Sequence, residues 1–262
     1  MIKYKYINSF ISVIIAFMML ILWVFTYKYT CFSLIFPIIS LTLISKNSFE
    51  LLKTKKICNA NCYLNKNSFI YTLLTGRIFI FIFSLVISII ITMSLFIYAI
   101  TFNIYDIIII ILSGISVIVL YNKYQNTKIF SENVKNIFVK NIAVFTNTLI
   151  FTIILVVINI NQTPPSFIDN NLLNTITNAS KEVYSVCPFN QIISKVTMEL
   201  QSIKWWIMVK FSINNHNEAI KIIVWLLFLI SNYLVILGFS KLVLEVNQIG
   251  EKLWNNKKQM SN

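Results

Sequence analysis

The 262 residues are 57% hydrophobic and only 12% charged, and a mean hydropathy of +0.76 excludes a soluble domain of ordinary composition. A net charge of +13 in a soluble chain would point to nucleic acid, whose phosphates lysines neutralise. Here the lysines flank apolar segments, orientation in a bilayer explains most of them, and no nucleic-acid partner is expected.

Crossing a hydrocarbon core about 30 Å thick takes about 20 apolar residues per helix. Six stretches come close, near 7–27, 30–46, 78–101, 104–121, 143–160 and 222–244. A barrel strand would alternate in polarity, whereas Ile107–Ile111 and Ile153–Ile158 are apolar on all sides. The expected fold is an all-α integral membrane protein, one polytopic domain over 1–262 with six transmembrane helices. The first apolar run is too long for a signal-peptide core and lacks a small-residue cleavage site, so it is expected to stay as a span.

Spans one and two form a hairpin turning near Tyr27, Lys28, Tyr29 and Thr30. Between spans two and three, residues 46–68 are polar and basic, and Ser48–Lys53 reads as a short amphipathic helix capped by Asn47 or Ser48, with Glu50 in its first turn and Lys55 and Lys56 near its end. It serves either as an interfacial helix on anionic lipid or as a docking element. The run that becomes span three begins at Phe69, and Gly76 and Arg77 mark where it enters the core, with the guanidinium snorkelling to headgroups. Spans three and four turn near Phe102, Asn103, Ile104 and Tyr105. Residues 122–140 form a second basic segment, with Phe130, Val134, Ile137 and Phe138 at near-helical spacing.

Lys3, Lys5, Lys46, Lys53, Lys55, Lys56, Lys66, Arg77, Lys123, Lys128, Lys135, Lys140, Lys252, Lys257 and Lys258 all fall on one side of this arrangement. By the positive-inside rule both termini are cytoplasmic in a cell membrane, and the loop of about 60 residues from Asn161 to Ile220 lies outside. That loop starts at Thr163, Pro164 and Pro165, which stop the fifth span. It is too apolar for a solvated tail, with Phe167, Ile168, Leu172, Leu173, Val183, Phe189 and Met198 among its residues. It reads as two or three short external helices broken near Cys187 and Pro188, with Trp205 and Trp206 at headgroup level. Cys187 has Cys31 as its sole conceivable disulfide partner. Cys58 and Cys62 form a lone C-x-x-x-C with no histidine nearby to complete a zinc site, so no metal is expected.

No catalytic constellation assembles. His216 lies in a polar stretch, and no P-loop, H-E-x-x-H or G-x-S-x-G pattern occurs, so the chain is not expected to be an enzyme or to hold a cofactor itself. Asp106, Lys241 and Arg77 sit near span ends where they can reach headgroups, which argues against a proton-coupled or ion-selective path. Thr146, Asn147 and Thr148 in span five and Ser231 and Asn232 in span six are the polar candidates for lining a pathway. Such residues also bond back to their own helix or across to a neighbour.

The order of spans and several local patterns resemble the permease subunit of ABC-2 type exporters, the group that includes lantibiotic-immunity and peptide-toxin exporters. Leu73, Leu74, Thr75, Gly76, Arg77, Ile78 looks like that family's approach to span three. Tyr184, Ser185, Val186, Cys187, Pro188, Phe189 looks like its loop before the last external helix, and Gly238 to Leu244 resembles its last span running into a basic tail. The resemblance implies an ATP-binding cassette subunit carrying ATP and Mg, a second permease copy or paralogue, and membrane lipids as partners. It implies a coupling element at Phe49, Glu50, Leu52, Lys53 and Lys56, and an outer gate around Pro164, Pro165, Pro188 and Phe189. The cargo would be an amphipathic peptide or lipid-like substrate moved out of the cell. The rival expectation is a non-transporting membrane interaction protein, such as a toxin-immunity, defence or secretion-complex subunit.

Overall fold

The computed structural model describes residues 2–63, 65, 68–127, 132–160, 164–213 and 218–260. Lys66, Lys128, Phe130, Asn161, Thr163 and His216 lie outside the described residues. In chain order the helices are α1 (Ile2–Thr26), α2 (Ile35–Tyr63), α3 (Phe69–Thr75), α4 (Arg77–Ile100), α5 (Ile104–Gln125), α6 (Glu132–Ile160), α7 (Leu172–Lys181), α8 (Pro188–Ile207) and α9 (Glu218–Met260). No strand occurs among the described residues. Among the described residues, six segments are long and apolar enough to cross a membrane: Ser9–Thr26, Cys31–Cys58, Arg77–Ile100, Ile104–Gln125, Ile137–Asn159 and Ile222–Trp254. The expected all-α architecture with six spans is what the chain adopts.

The last helix organises the rest. With 43 residues, α9 is about 65 Å long at 1.5 Å per residue, and it packs against α1, α2, α4, α5 and α6. Ala16 and Leu20 of α1, Leu95 of α4, Ile110 and Val117 of α5, Ala143 and Leu155 of α6, and Ile236, Phe239 and Leu242 of α9 form one buried cluster. The opposite faces stay open, with Phe10, Phe81, Ile82, Val119, Ile153 and Ile222 exposed. That apolar outer belt suits lipid rather than water.

Among apolar helices in lipid, close packing replaces the hydrophobic effect as the driving force, so small residues matter where backbones meet. A Cβ at Gly238 would lie 3.0 Å from Ile91 Cγ2 and 3.3 Å from the Ile91 carbonyl oxygen. The backbone oxygen cannot rotate away, so α4 and α9 approach as closely as they do because position 238 has no side chain. Gly238→Val is therefore expected to lower stability by about 1–3 kcal/mol, read as a fall in the thermal unfolding midpoint of the detergent-purified protein. An unchanged midpoint would mean that the two helices separate at no cost.

Two expected boundaries are corrected. Span two does not end at residue 46, because α2 runs unbroken to Tyr63 and no separate amphipathic helix forms at 48–53. Asn47 and Ser48 are not caps. Both are buried and face α9, where Asn47 Nδ2 donates to Glu245 Oε1 at 3.0 Å and Lys241 Nζ donates to Ser48 Oγ at 3.0 Å. Further along, Phe49 meets Phe81 edge-on, and the Lys56 ammonium lies 4.2 Å and 4.9 Å from the Phe79 and Phe83 ring centres. Packing on α4 and α9 carries the helix past a polar stretch that would end it in isolation. The separate short helix between spans two and three is instead α3, whose cap Ser68 Oγ accepts from Tyr71 N at 3.1 Å. It ends at Gly76, with ψ 127°, and span three begins at Arg77 as the sequence suggests. The helix carrying span five likewise starts well before 143, at Glu132, which brings Lys140 inside it.

Between spans five and six, α7 and α8 break over 182–187, as expected. Asn171 Oδ1 caps α7 by accepting from Leu173 N. Pro188 occupies the first turn of α8, where its missing N–H has no intrahelical use. The end of α8 widens into a π-helical turn, Met208–Ile213.

Candidate functional site

Helices α7 and α8 form a cap over one end of the bundle, fastened mainly to the turn between spans one and two. A disulfide joins Cys31 to Cys187, the pairing the sequence left open. Around it, Ser185 Oγ donates to the Tyr27 carbonyl at 2.5 Å and Val186 N to the Lys28 carbonyl at 3.0 Å. Asn190 Nδ2 lies within hydrogen-bonding distance of the carbonyls of Tyr27 and Thr30 and of Ser33 Oγ, nearest to the last at 2.7 Å. Carbonyls left over where α1 stops thus find donors on the cap. A second fastening reaches the turn between spans three and four, where Gln201 Nε2 donates to Thr101 Oγ1 at 2.9 Å.

Beneath the cap lies a cavity of about 410 Å³ lined from both layers. Tyr27, Lys28, Tyr98, Thr101, Asn103, Asp106 and Asn159 come from the bundle side; Pro165, Phe167, Glu182, Met198, Gln201, Lys204 and Trp205 come from the cap side. Asp106 is held by the local fold. Asn103 caps α5 by accepting from Asp106 N at 2.9 Å, while Asp106 Oδ2 accepts from Asn103 N at 3.1 Å, a reciprocal capping box. Its other oxygen accepts from the Tyr98 hydroxyl at 3.0 Å. Lys204 is in a different position. Its ammonium lies 4.5 Å from the Phe228 ring centre and 5.7 Å from that of Tyr98, and no oxygen of a described residue accepts a hydrogen bond from it. The residue keeps some surface, and its ammonium faces the two rings at the edge of the cavity. Burial pushes the Lys204 ammonium down to about 8, against the pull of Asp106. Ring faces attract a cation but accept none of its hydrogen bonds in full, so the cavity has a positive wall with donors to spare.

The far end of the bundle holds a second polar group. Glu245 lies about 25 Å along α9 from Phe228 at 1.5 Å per residue and is 1% exposed. It accepts from Asn47 Nδ2 and from Lys140 Nζ, and Lys140 also donates to Gln248 Oε1 at 3.1 Å. Ser12 Oγ reaches Asn247 Oδ1 at 3.4 Å, so α1, α2, α6 and α9 are joined there by polar side chains. Asp106 and Lys241 were expected to reach lipid headgroups; instead they are 3% and 6% exposed and turned into the protein. Internal partners win over snorkelling because the carboxylate and the ammonium each find hydrogen bonds inside the bundle.

The other sequence candidates separate in the same way. Asn147 Nδ2 donates to the Ser113 carbonyl at 3.1 Å and to Ser240 Oγ at 2.9 Å, tying spans four, five and six together. Thr148 Oγ1 bonds back to the Val144 carbonyl. Asn232 is buried with both amide atoms unpartnered, whereas Thr146 and Ser231 are half-buried. On α2, Phe49 and Lys56 are engaged with α4, Leu52 is half-buried, and Glu50 and Lys53 are exposed. In the cap, Pro165 lines the cavity, Pro188 opens α8, and Pro164 and Phe189 are exposed. Sequence reasoning missed Tyr98, Gln201, Lys204 and Glu245. The signal for the last was present: Glu245 is the one acidic residue between Glu218 and Glu251, one helical turn after Lys241.

Compared with family models, with curated proteins and with solved structures, the chain matches none.

Proposed function

We propose that this chain is the membrane-spanning permease subunit of an ATP-driven exporter, moving an amphipathic peptide or lipid-like substrate out of the cell. The observation that carries the reading is the cap, a folded two-helix cover fastened over a polar cavity at one end of the six-helix bundle, where an outer gate would be needed. ATP and Mg belong to a separate subunit, and a second permease copy or paralogue completes the path. The cap faces outward and both termini are cytoplasmic. Support for this orientation comes from the lysine distribution and from the cysteines: the pair joined by a disulfide lies at the cap, where an oxidising compartment would keep it, and the free Cys58 and Cys62 lie near the other end of α2.

The ATPase contact moves from residues 48–56 to α3 and the end of α2, since Phe49 and Lys56 are occupied within the chain. Tyr63 at the end of α2 and Phe69 and Ile70 at the start of α3 are 84%, 79% and 56% exposed. Phe69→Asp with Ile70→Asp is expected to abolish co-purification with an ATP-binding subunit encoded beside this chain, while the variant's own gel-filtration profile stays unchanged. Undiminished co-purification and ATPase activity would overturn the coupling role. Co-purification instead with a neighbouring toxin or nuclease would favour the immunity reading.

A further inference from the structure

The cap cavity has a set of unfilled valences that together describe a ligand, and the description holds whether the chain exports or merely binds. The first is the Lys204 ammonium, which faces the rings of Phe228 and Tyr98 and lacks an oxygen acceptor among the described residues. The second is Gln201. Its Nε2 is committed to Thr101, but its Oε1 is buried with no partner, and the side chain, 6% exposed, lines the same cavity. The two residues sit three apart on α8, on one face of the helix. The third is an apolar wall on the cap side made by Phe167, Met198 and Trp205. Leaving the buried Gln201 acceptor unpaired is costly, the Lys204 ammonium beside it has hydrogen-bond donors to spare, and both are answered by one molecule that brings an anion and an N–H donor side by side.

We infer that the cavity is a binding site for a carboxylate-terminated amphiphile, of the kind presented by the C-terminal residue of a peptide or an N-acyl amino acid. The carboxylate takes hydrogen bonds from the Lys204 ammonium, the adjacent amide N–H donates to Gln201 Oε1, and the apolar side chain lies on Phe167, Met198 and Trp205. Asp106 does not compete for the ammonium at close range, because both of its oxygens are held by Tyr98 and Asn103. Instead its negative charge favours a ligand with a single anionic group over one with several. A volume of about 410 Å³ is at the small end of ligand pockets and admits one or two residues of a peptide, not a folded domain.

The test uses the full chain in nanodiscs of neutral lipid and measures equilibrium binding of N-acetyl-phenylalanine and of its uncharged amide. The acid is expected to bind about tenfold or more tightly than the amide, because a charge-assisted hydrogen bond is lost with the carboxylate. Lys204→Met, which keeps a long side chain between the two rings, is expected to erase that preference without lowering binding of the amide. Gln201→Leu is expected to weaken both probes alike. Raising the pH from about 7 to about 9.5 should weaken the acid more than the amide, since burial lowers the Lys204 ammonium to about 8; Lys28, Asp106 and Glu182 line the same cavity, so the pH effect should vanish in Lys204→Met. An intact Cys31–Cys187 disulfide and an unaltered elution profile establish that each variant is folded. Equal binding of acid and amide, or a preference that survives Lys204→Met, would overturn the site. Displacement of the probe by inorganic phosphate at equal concentration, or by anionic phospholipid in the disc, would assign the positive wall to a phosphate group and overturn the carboxylate assignment.

Discussion

Replacing Glu245 by alanine is expected to be the most damaging single substitution in the chain. Glu245 is 1% exposed and accepts from both Asn47 and Lys140. Its removal leaves the Lys140 ammonium, itself 5% exposed, with Gln248 as its partner, and strands the Asn47 amide. Breaking a buried ion pair from one side costs on the order of 3–5 kcal/mol, far more than the pair contributes over an apolar replacement of similar volume. That asymmetry makes the experiment decisive. Glu245→Ala should lower the unfolding midpoint steeply, and Glu245→Leu combined with Lys140→Met should recover most of the loss, because the second change removes the orphaned charge. If the single variant is as stable as the parent, α2, α6 and α9 are not held together at this point. If the double variant is no better than the single, the damage lies in packing rather than in charge.

The second large effect is expected at the opposite end. Cys31→Ser, or reduction of the parent, should lower stability by about 2–4 kcal/mol, with the loss concentrated in the cap. The bond joins positions separated by 156 residues, so in the unfolded chain it restrains a long segment, and in the folded chain it holds α8 onto the turn after α1. The hydrogen bonds from Ser185, Val186 and Asn190 remain after reduction, which is why the cap should loosen rather than unfold with the bundle. Maleimide labelling in denaturant gives the count directly, with two reactive thiols before reduction, Cys58 and Cys62, and four after it. Four thiols without reductant, or an unchanged midpoint after reduction, would show that the bond does not form or does not matter.

The parts of this molecule that could be read from sequence are those governed by one physical variable. Hydropathy alone places six spans, because lipid requires about 20 consecutive apolar residues whatever those residues later touch. Prolines 164, 165 and 188 punctuate the loop between spans five and six for local reasons, and α8 starts where Pro188 suggests. Helix ends that depend on distant partners were not legible in this way. Asn47 and Ser48 have the chemistry of caps, and only the arrival of α9, some two hundred residues later in the chain, turns them into interior hydrogen-bonding groups. The charged residues repeat the lesson. Asp106, Lys140 and Lys241 lie near segment ends, so hydropathy assigns them to the membrane surface, yet each side chain turns inward to a partner supplied by another part of the chain. Lys204 and Gln201 belong to a loop whose folded form depends on the turns it covers, and their convergence is a property of the assembled cap.

The bond between Cys31 and Cys187 also divides the polypeptide into a closed ring and two tails. Spans two to five and α7 lie within the ring; α1 projects from one side and α8 with α9 from the other. A single cut of the backbone anywhere from 32 to 186 therefore leaves one covalent molecule, and the pieces part only when the sulfurs are reduced. The same closure means that the cap cannot swing as a lid on a free hinge. Any displacement of α8 is transmitted to the start of α2, so opening at this end and tilting of the second span are mechanically one movement.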